Sequence, residues 1–150
     1  MKKILLSLIL LFCLSGALFS QSFMKSTIDG STSDEPYTIA SGHLSNDAYL
    51  DIAIGTDTGS DVSWYKNDGD VDMDGVGDGT FTFMGILTAD GANALSYVEG
   101  MEIADINGDG DEDILATSYV NNNLVWFENN GNDTFQDAVE LSDGISGAGM

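Results

Sequence analysis

The sequence predicts an all-β protein of tandem four-stranded antiparallel units, of the propeller-blade type, preceded by a signal peptide. Three observations carry this. Shifting the chain by 62 residues lays His43–Asn67 on Asp105–Asn129 without a gap, so that Trp64 meets Trp126 and Asp51 meets Asp113. Short runs rich in β-branched and aromatic residues recur through each copy, bounded by Gly, Asn or Asp, as strands joined by tight turns require. Each copy holds four such runs, and a four-stranded unit repeated in tandem is the pattern of a propeller blade.

The chain opens on Lys2 and Lys3, an apolar run from Ile4 to Leu14, and small residues in Ser15-Gly-Ala17 and at Ser20. A basic start, an apolar stretch of about 7–15 residues and a small-residue exit describe a secretory signal peptide. The run is short for a membrane span of about 20 residues. Cleavage is expected after Ser20, with Ala17 as the alternative, so residues 1–20 are leader and the mature chain is secreted, extracellular or at the cell surface. Phe12 stands before Cys13, where a lipoprotein signal wants a small residue, which argues against lipidation.

Beyond residue 20 only Lys25 and Lys66 are basic, against 25 acidic residues, a mature net charge of −23 with no Arg and no Cys. Such a chain is repelled by phosphate backbones and anionic lipid, so no nucleic acid and no membrane insertion are expected. The two Trp, five Tyr and seven Phe of the full sequence argue against disorder, and the acids cluster in loops, where bound cations would neutralise them.

Residues 21–36 read as an N-terminal strand and linker, with Phe23–Ile28 resembling the last strand of a repeat. Repeat 1 covers residues 37–91, with strands near Tyr37–Leu44, Asp51–Thr56, Val62–Lys66 and Thr80–Leu87. Repeat 2 covers 92–144, with strands near Gly100–Ile106, Asp113–Ser118, Leu124–Glu128 and Phe135–Leu141. Trp64 and Trp126 share one place in the third strand, and both are expected to be buried between stacked sheets. Gly147-Ala-Gly-Met150 resembles Val98-Glu-Gly-Met101, so residues 145–150 read as the start of a third repeat. The chain therefore reads as part of a longer protein, packed against further repeats of the same polypeptide.

The chemistry lies in two acidic loops. In Asp105-Ile-Asn-Gly-Asp-Gly-Asp-Glu-Asp113, oxygen-bearing side chains stand at positions 1, 3, 5 and 9: Asp105, Asn107, Asp109 and Asp113. Gly110 permits the turn, and the carbonyl of Asp111 adds a fifth oxygen. Calcium takes about six to eight oxygens, and this spacing supplies five from one short loop, with a water or two to complete the shell. The EF-hand is excluded, because position 12 is Ala116 and a strand, not a helix, follows. An eight-residue insertion in repeat 1 creates a second loop, Asp70-Val-Asp-Met-Asp-Gly-Val-Gly-Asp78. Its ligands are Asp70, Asp72, Asp74, Asp78 and the Val76 carbonyl. The repeat 1 counterpart of the first loop, His43–Asp51, keeps only Asp47 and Asp51 and is expected to be metal-free. His43, without Cys, Arg or a serine elbow, reads as a solvated turn residue rather than a catalyst.

The order strand, D-x-N-x-D-G-x-x-D, I-L-A-T, turn, L-V-W-F-E-N-N-G, D-T-F resembles the FG-GAP/VCBS repeat family, including the calcium-binding blades of integrin α-subunit propellers. The resemblance covers about residues 37–143. It implies a β-propeller, typically seven-bladed, with Ca2+ clamping the loop between the first two strands of a blade through Asp105, Asn107, Asp109, Asp113 and the Asp111 carbonyl. Two functions fit. One is a non-catalytic scaffold for adhesion or for binding a protein or glycan. The other is the propeller part of a secreted carbohydrate-active enzyme, a hydrolase or lyase, in which Glu99 and Glu102 are an acidic pair. The site residues favour binding over catalysis.

Overall fold

A computed structural model of the protein describes residues 27, 35–59, 61–70, 78–89 and 95–141. The signal peptide, nearly all of Phe23–Ile28, the ligands Asp72, Asp74 and Val76, and the start of the third repeat lie outside the described residues. Repeat 1 forms β1 (Pro36–Gly42), β2 (Asp51–Thr56), β3 (Val62–Asn67) and β4 (Phe81–Leu87). Repeat 2 forms β5 (Val98–Ala104), β6 (Asp113–Ser118), β7 (Asn123–Phe127) and the short β8 (Val139–Glu140). The strands make two four-stranded antiparallel sheets, β1-β2-β3-β4 and β5-β6-β7-β8, each a simple meander.

The registers repeat as the 62-residue shift requires. Ile52 pairs with Tyr65 as Ile114 pairs with Phe127, and Ala53 with Trp64 as Leu115 with Trp126. The ladder step Asn67–Phe81 in the first sheet returns as the isolated bridge Asn129–Phe135 in the second. Several strand boundaries differ by one or two residues from the sequence reading, β1 ending at Gly42 rather than Leu44 and β5 beginning at Val98 rather than Gly100. The first strand of repeat 2 ends at Ala104 rather than Ile106, because Asp105 and Ile106 are drawn into loop hydrogen bonds. The fourth strand is reduced from Phe135–Leu141 to the Phe135 bridge and Val139–Glu140. Asp133 there has a left-handed φ of 62°, so the chain enters this edge at an angle a continuous ladder does not accept.

The two sheets stack through unlike faces. Ala53, Val62 and Trp64 of the first share one core with Val98, Ile114, Ala116, Val125 and Phe127 of the second. Neighbouring residues on a strand point to opposite faces. Trp64 therefore points into the junction while Tyr65 points away from it, onto Phe83. In the second sheet the assignment reverses: Phe127 points into the junction and Trp126 away. Small residues let the sheets approach closely. A Cβ on Gly42 would collide with Ile103, and one on Gly55 would overlap the Val98 side chain. Trp64 closes the outer part of the junction edge-to-face on Phe135, ring centroids 5.6 Å apart at 74°.

The expectation that both tryptophans are buried is thus met by one of them. Trp64 is 3% exposed, whereas Trp126 is only half-buried. The two occupy equivalent places, and burial depends on whether a sheet covers that face.

Candidate metal centre

The loop between β5 and β6 is organised by its own side chains. The Asp105 carboxylate accepts N–H groups from Gly108 (2.7 Å) and Asp109 (3.2 Å) through Oδ1, and from Gly110 (3.0 Å) through Oδ2. Asn107 Oδ1 accepts the Asp109 N–H at 2.9 Å, and Asp109 Oδ1 accepts that of Asp111 at 2.9 Å. Each oxygen-bearing residue folds back on an amide two to five residues ahead, the local competition with strand pairing that Asx residues favour. Gly110, at φ +100°, supplies the turn at position 6 that an L side chain resists. The Asp111 N–H bond, followed by the Asn107 amide, holds the Asp109 carboxyl below its ordinary range.

Asp113 behaves differently. It is fully buried, accepts the Ile106 N–H at 3.1 Å on one oxygen, and accepts the Asn129 N–H at 2.8 Å on the other. Asp51 does the same in repeat 1, with the N–H groups of Ser45 (2.7 Å) and Asn67 (2.8 Å). Position 9 thus pins its loop to the end of the third strand in both repeats, although only one loop has the full ligand pattern. Asn67 and Asn129 complete the clasp. Their side chains donate to the carbonyls of Leu50 and Glu112, and their Oδ1 atoms accept the N–H of Gly69 and Gly131. Sequence reasoning assigned these asparagines no role, although both close the aligned motifs Trp64-Tyr-Lys-Asn67 and Trp126-Phe-Glu-Asn129.

Asp105, Asn107, Asp109, Asp113 and the Asp111 carbonyl form an all-oxygen donor set on one nine-residue loop, the chemistry a hard divalent cation takes. Among the described residues no three acidic, His or Cys side chains converge into an assembled metal cluster. The loop carboxylates are turned onto backbone amides; Asp105 Oδ1 takes two N–H groups, whereas Asp105 Oδ2 and Asp109 Oδ1 take one backbone N–H each and keep a further lone-pair direction for a cation. The residues present fit such an ion in donor type and offer five of the about six to eight oxygens it takes. Glu128, at the end of the third strand, adds an acid beside them, its Oε1 3.2 Å from Asn107 Nδ2.

Repeat 1 reverses that charge. Its counterpart of Glu128 is Lys66, whose ammonium lies 3.6 Å from Asp47 and 3.1 Å from Asp133 of repeat 2. The bond to Asp133 holds the Lys66 pKa above its ordinary value despite partial burial. Asp47 is the counterpart of Asp109, so a built-in cation sits beside the one carboxylate that the degenerate loop retains at its rim. The rest of this loop is spent on the junction. Leu44 is buried, its carbonyl accepts from Asn129 Nδ2 at 2.9 Å, and the His43 N–H donates to Glu112 at 2.5 Å. The His43 side chain itself is exposed.

Of the inserted loop, Asp70 and Asp78 are described. The Asp78 N–H donates to the Gly69 carbonyl at 3.0 Å and the Asp68 N–H to that of Thr80 at 3.0 Å, so the insertion leaves the sheet through a closed neck. Asp68 accepts the Thr82 hydroxyl at 2.8 Å.

Two sheets of one meander topology, registered by one shift and each headed by an Asx-rich loop, define a β repeat protein. Residues 105–150 match the family model of the FG-GAP-like repeat, beginning at the first aspartate of this loop, which is consistent with an FG-GAP-type repeat family. No curated protein and no solved structure matched the chain.

Proposed function

We propose that the chain is a calcium-binding module of a secreted or cell-surface protein, its sheets being successive blades of a β-propeller. Its role in this reading is a non-catalytic scaffold that engages a protein or glycan. The observation that carries it is the loop Asp105–Asp113, whose oxygens are gathered by their own backbone and whose last member anchors the sheet. Bound calcium would offset the mutual repulsion of Asp105, Asp109 and Asp111 and fix the loop on β6. Asp113 would link ion and strand, and Glu128 would hold Asn107 in place.

Titration calorimetry on residues 21–150 tests this. The wild type should take up calcium at two sites, Asp109→Ala should remove one, and Asp74→Ala should remove the other. Absence of calcium uptake in the wild type would refute the reading.

A further inference from the structure

The loop His43–Asp51 of repeat 1 has lost most of the ligand pattern, yet it sits against the loop of repeat 2 that keeps it. Glu112 is the point of contact. It stands between Asp111 and Asp113, two of the proposed ligands, and is half-buried. Its carbonyl accepts Asn129 Nδ2 at 3.0 Å, and its carboxylate accepts the His43 N–H at 2.5 Å. The same carboxylate lies over Gly42, where a Cβ would collide with it. The aligned residue in repeat 1 is Leu50, which is 51% exposed, so a carboxylate here is not part of the clasp that the two repeats share.

Two further paths join the loops. The Asn129 N–H holds Asp113 Oδ1 at 2.8 Å, while its Nδ2 reaches the Leu44 carbonyl of repeat 1 at 2.9 Å. The Leu44 side chain, 1% exposed, is seated in the shared core. Asp111 packs so closely on Gly131 that a Cβ there would overlap its carboxylate, and the Gly131 carbonyl accepts Asn46 Nδ2. Residues 42–46 of repeat 1 thus brace the half of the loop that runs from Asp111 to Asp113. The other half, Asp105–Gly110, is held by its own amides.

We propose that residues 42–46 are the outer support of the calcium loop in repeat 2, so that ion binding and the docking of the two sheets form one coupled equilibrium. Groups that orient a metal's ligands change its affinity by about 10–100-fold when they are removed. Coupling of this kind is reciprocal: whatever the docked junction adds to calcium affinity, calcium adds to the junction. The loss of ligands from His43–Asp51 then has a use. A loop that holds no ion of its own is free to offer the His43 N–H and the Leu44 carbonyl to its neighbour. The inference rests on the calcium reading of Asp105–Asp113 and adds to it the residues of another repeat that govern the affinity.

Titration calorimetry and acrylamide quenching on the mature chain test it, in an Asp74→Ala background that leaves Asp105–Asp113 as the one proposed site. Leu44→Ala changes no charge and lies in the other repeat, and it should weaken calcium binding by about tenfold. Phe83→Ala removes a contact with Tyr65 on the far face of the same sheet and should leave the affinity unchanged. With Trp126→Phe added, Trp64 is the single tryptophan and reports on the junction. Calcium should lower its quenching, and Asp109→Ala should abolish that response. Where Leu44→Ala fails to give the circular dichroism of the background, Asn46→Ala, at an exposed position, takes its place and should weaken binding in the same direction. Unchanged affinity in the junction variant, an equal loss in Phe83→Ala, or Trp64 quenching indifferent to bound calcium would each overturn the coupling and leave the calcium reading standing. No calcium uptake by the background chain would overturn both.

Discussion

Truncating the two tryptophans tests the stacking of the sheets most directly, because equivalent residues are expected to give unequal losses. Trp64 is 3% exposed, packs in the shared core and meets Phe135 edge-to-face. Replacing a buried Trp by Ala removes its transfer free energy and leaves a cavity, about 3–5 kcal/mol together. The Phe135 contact lies toward the upper end, since such aromatic pairs add about 0.5–1.5 kcal/mol. Trp126 sits at the same register position but half-buried, and its indole N–H is buried without an acceptor among the described residues. Trp126→Ala forms no closed cavity, and its cost should stay near 1–2 kcal/mol, about half the transfer value of a large apolar side chain. Thermal melts should place Trp64→Ala at least about 10 °C below wild type and Trp126→Ala only a few degrees below. Iodide should quench Trp126 and spare Trp64. Equal losses within about 0.5 kcal/mol, the usual scatter of independent sites, would refute the face assignment and with it the stacking.

Asp113→Asn should destabilise the fold by about 1.5–3 kcal/mol even in chelator, since it removes a charged acceptor from one of two buried amides. Asp109→Asn, at an exposed loop position, should lower the melting temperature much more with calcium present than without it. Calcium at a hundredfold excess over its Kd should stabilise the wild type by about 2.7 kcal/mol, which a chelator titration of the melting temperature measures. Lys66→Met should cost about 0.2–1 kcal/mol, with a double-mutant cycle against Asp133→Asn that shrinks in high salt, because this pair is partly exposed. Two groups give pH signatures in calcium-free buffer. The folded state lowers the Asp109 pKa, so its stabilisation is present above the ordinary 3.8 and is lost as pH falls through the lower folded value. The gap between wild type and Asp109→Asn should therefore narrow below that pH. Folding raises the Lys66 pKa, so the Lys66 contribution is present below 10.5 and is lost as pH rises through the higher folded value.

The sequence by itself determined the strands, their order and the repeat that relates them. Alternation and turn chemistry are local: Asp51–Thr56 and Asp113–Ser118 stand where their β-branched runs and flanking Asp and Gly residues put them. The loop Asp105–Asp113 was legible for the same reason, since Asp105, Asn107 and Asp109 each bond a backbone amide within five residues. The tertiary structure alone decided which face of each sheet is covered. Trp64 and Trp126 have nearly the same local sequence, and only the sheet stacked on the first separates a buried indole from a half-buried one. It also decided the role of Asp51 and Asp113, whose carboxylates meet amides at the far end of the third strand, 16 residues along the chain. The fate of the degenerate loop was likewise hidden, because Leu44 and Asn129, 85 residues apart in sequence, meet only once the sheets stack. Contacts over such separations follow from how the sheets dock, and no local pattern of residue types encodes that.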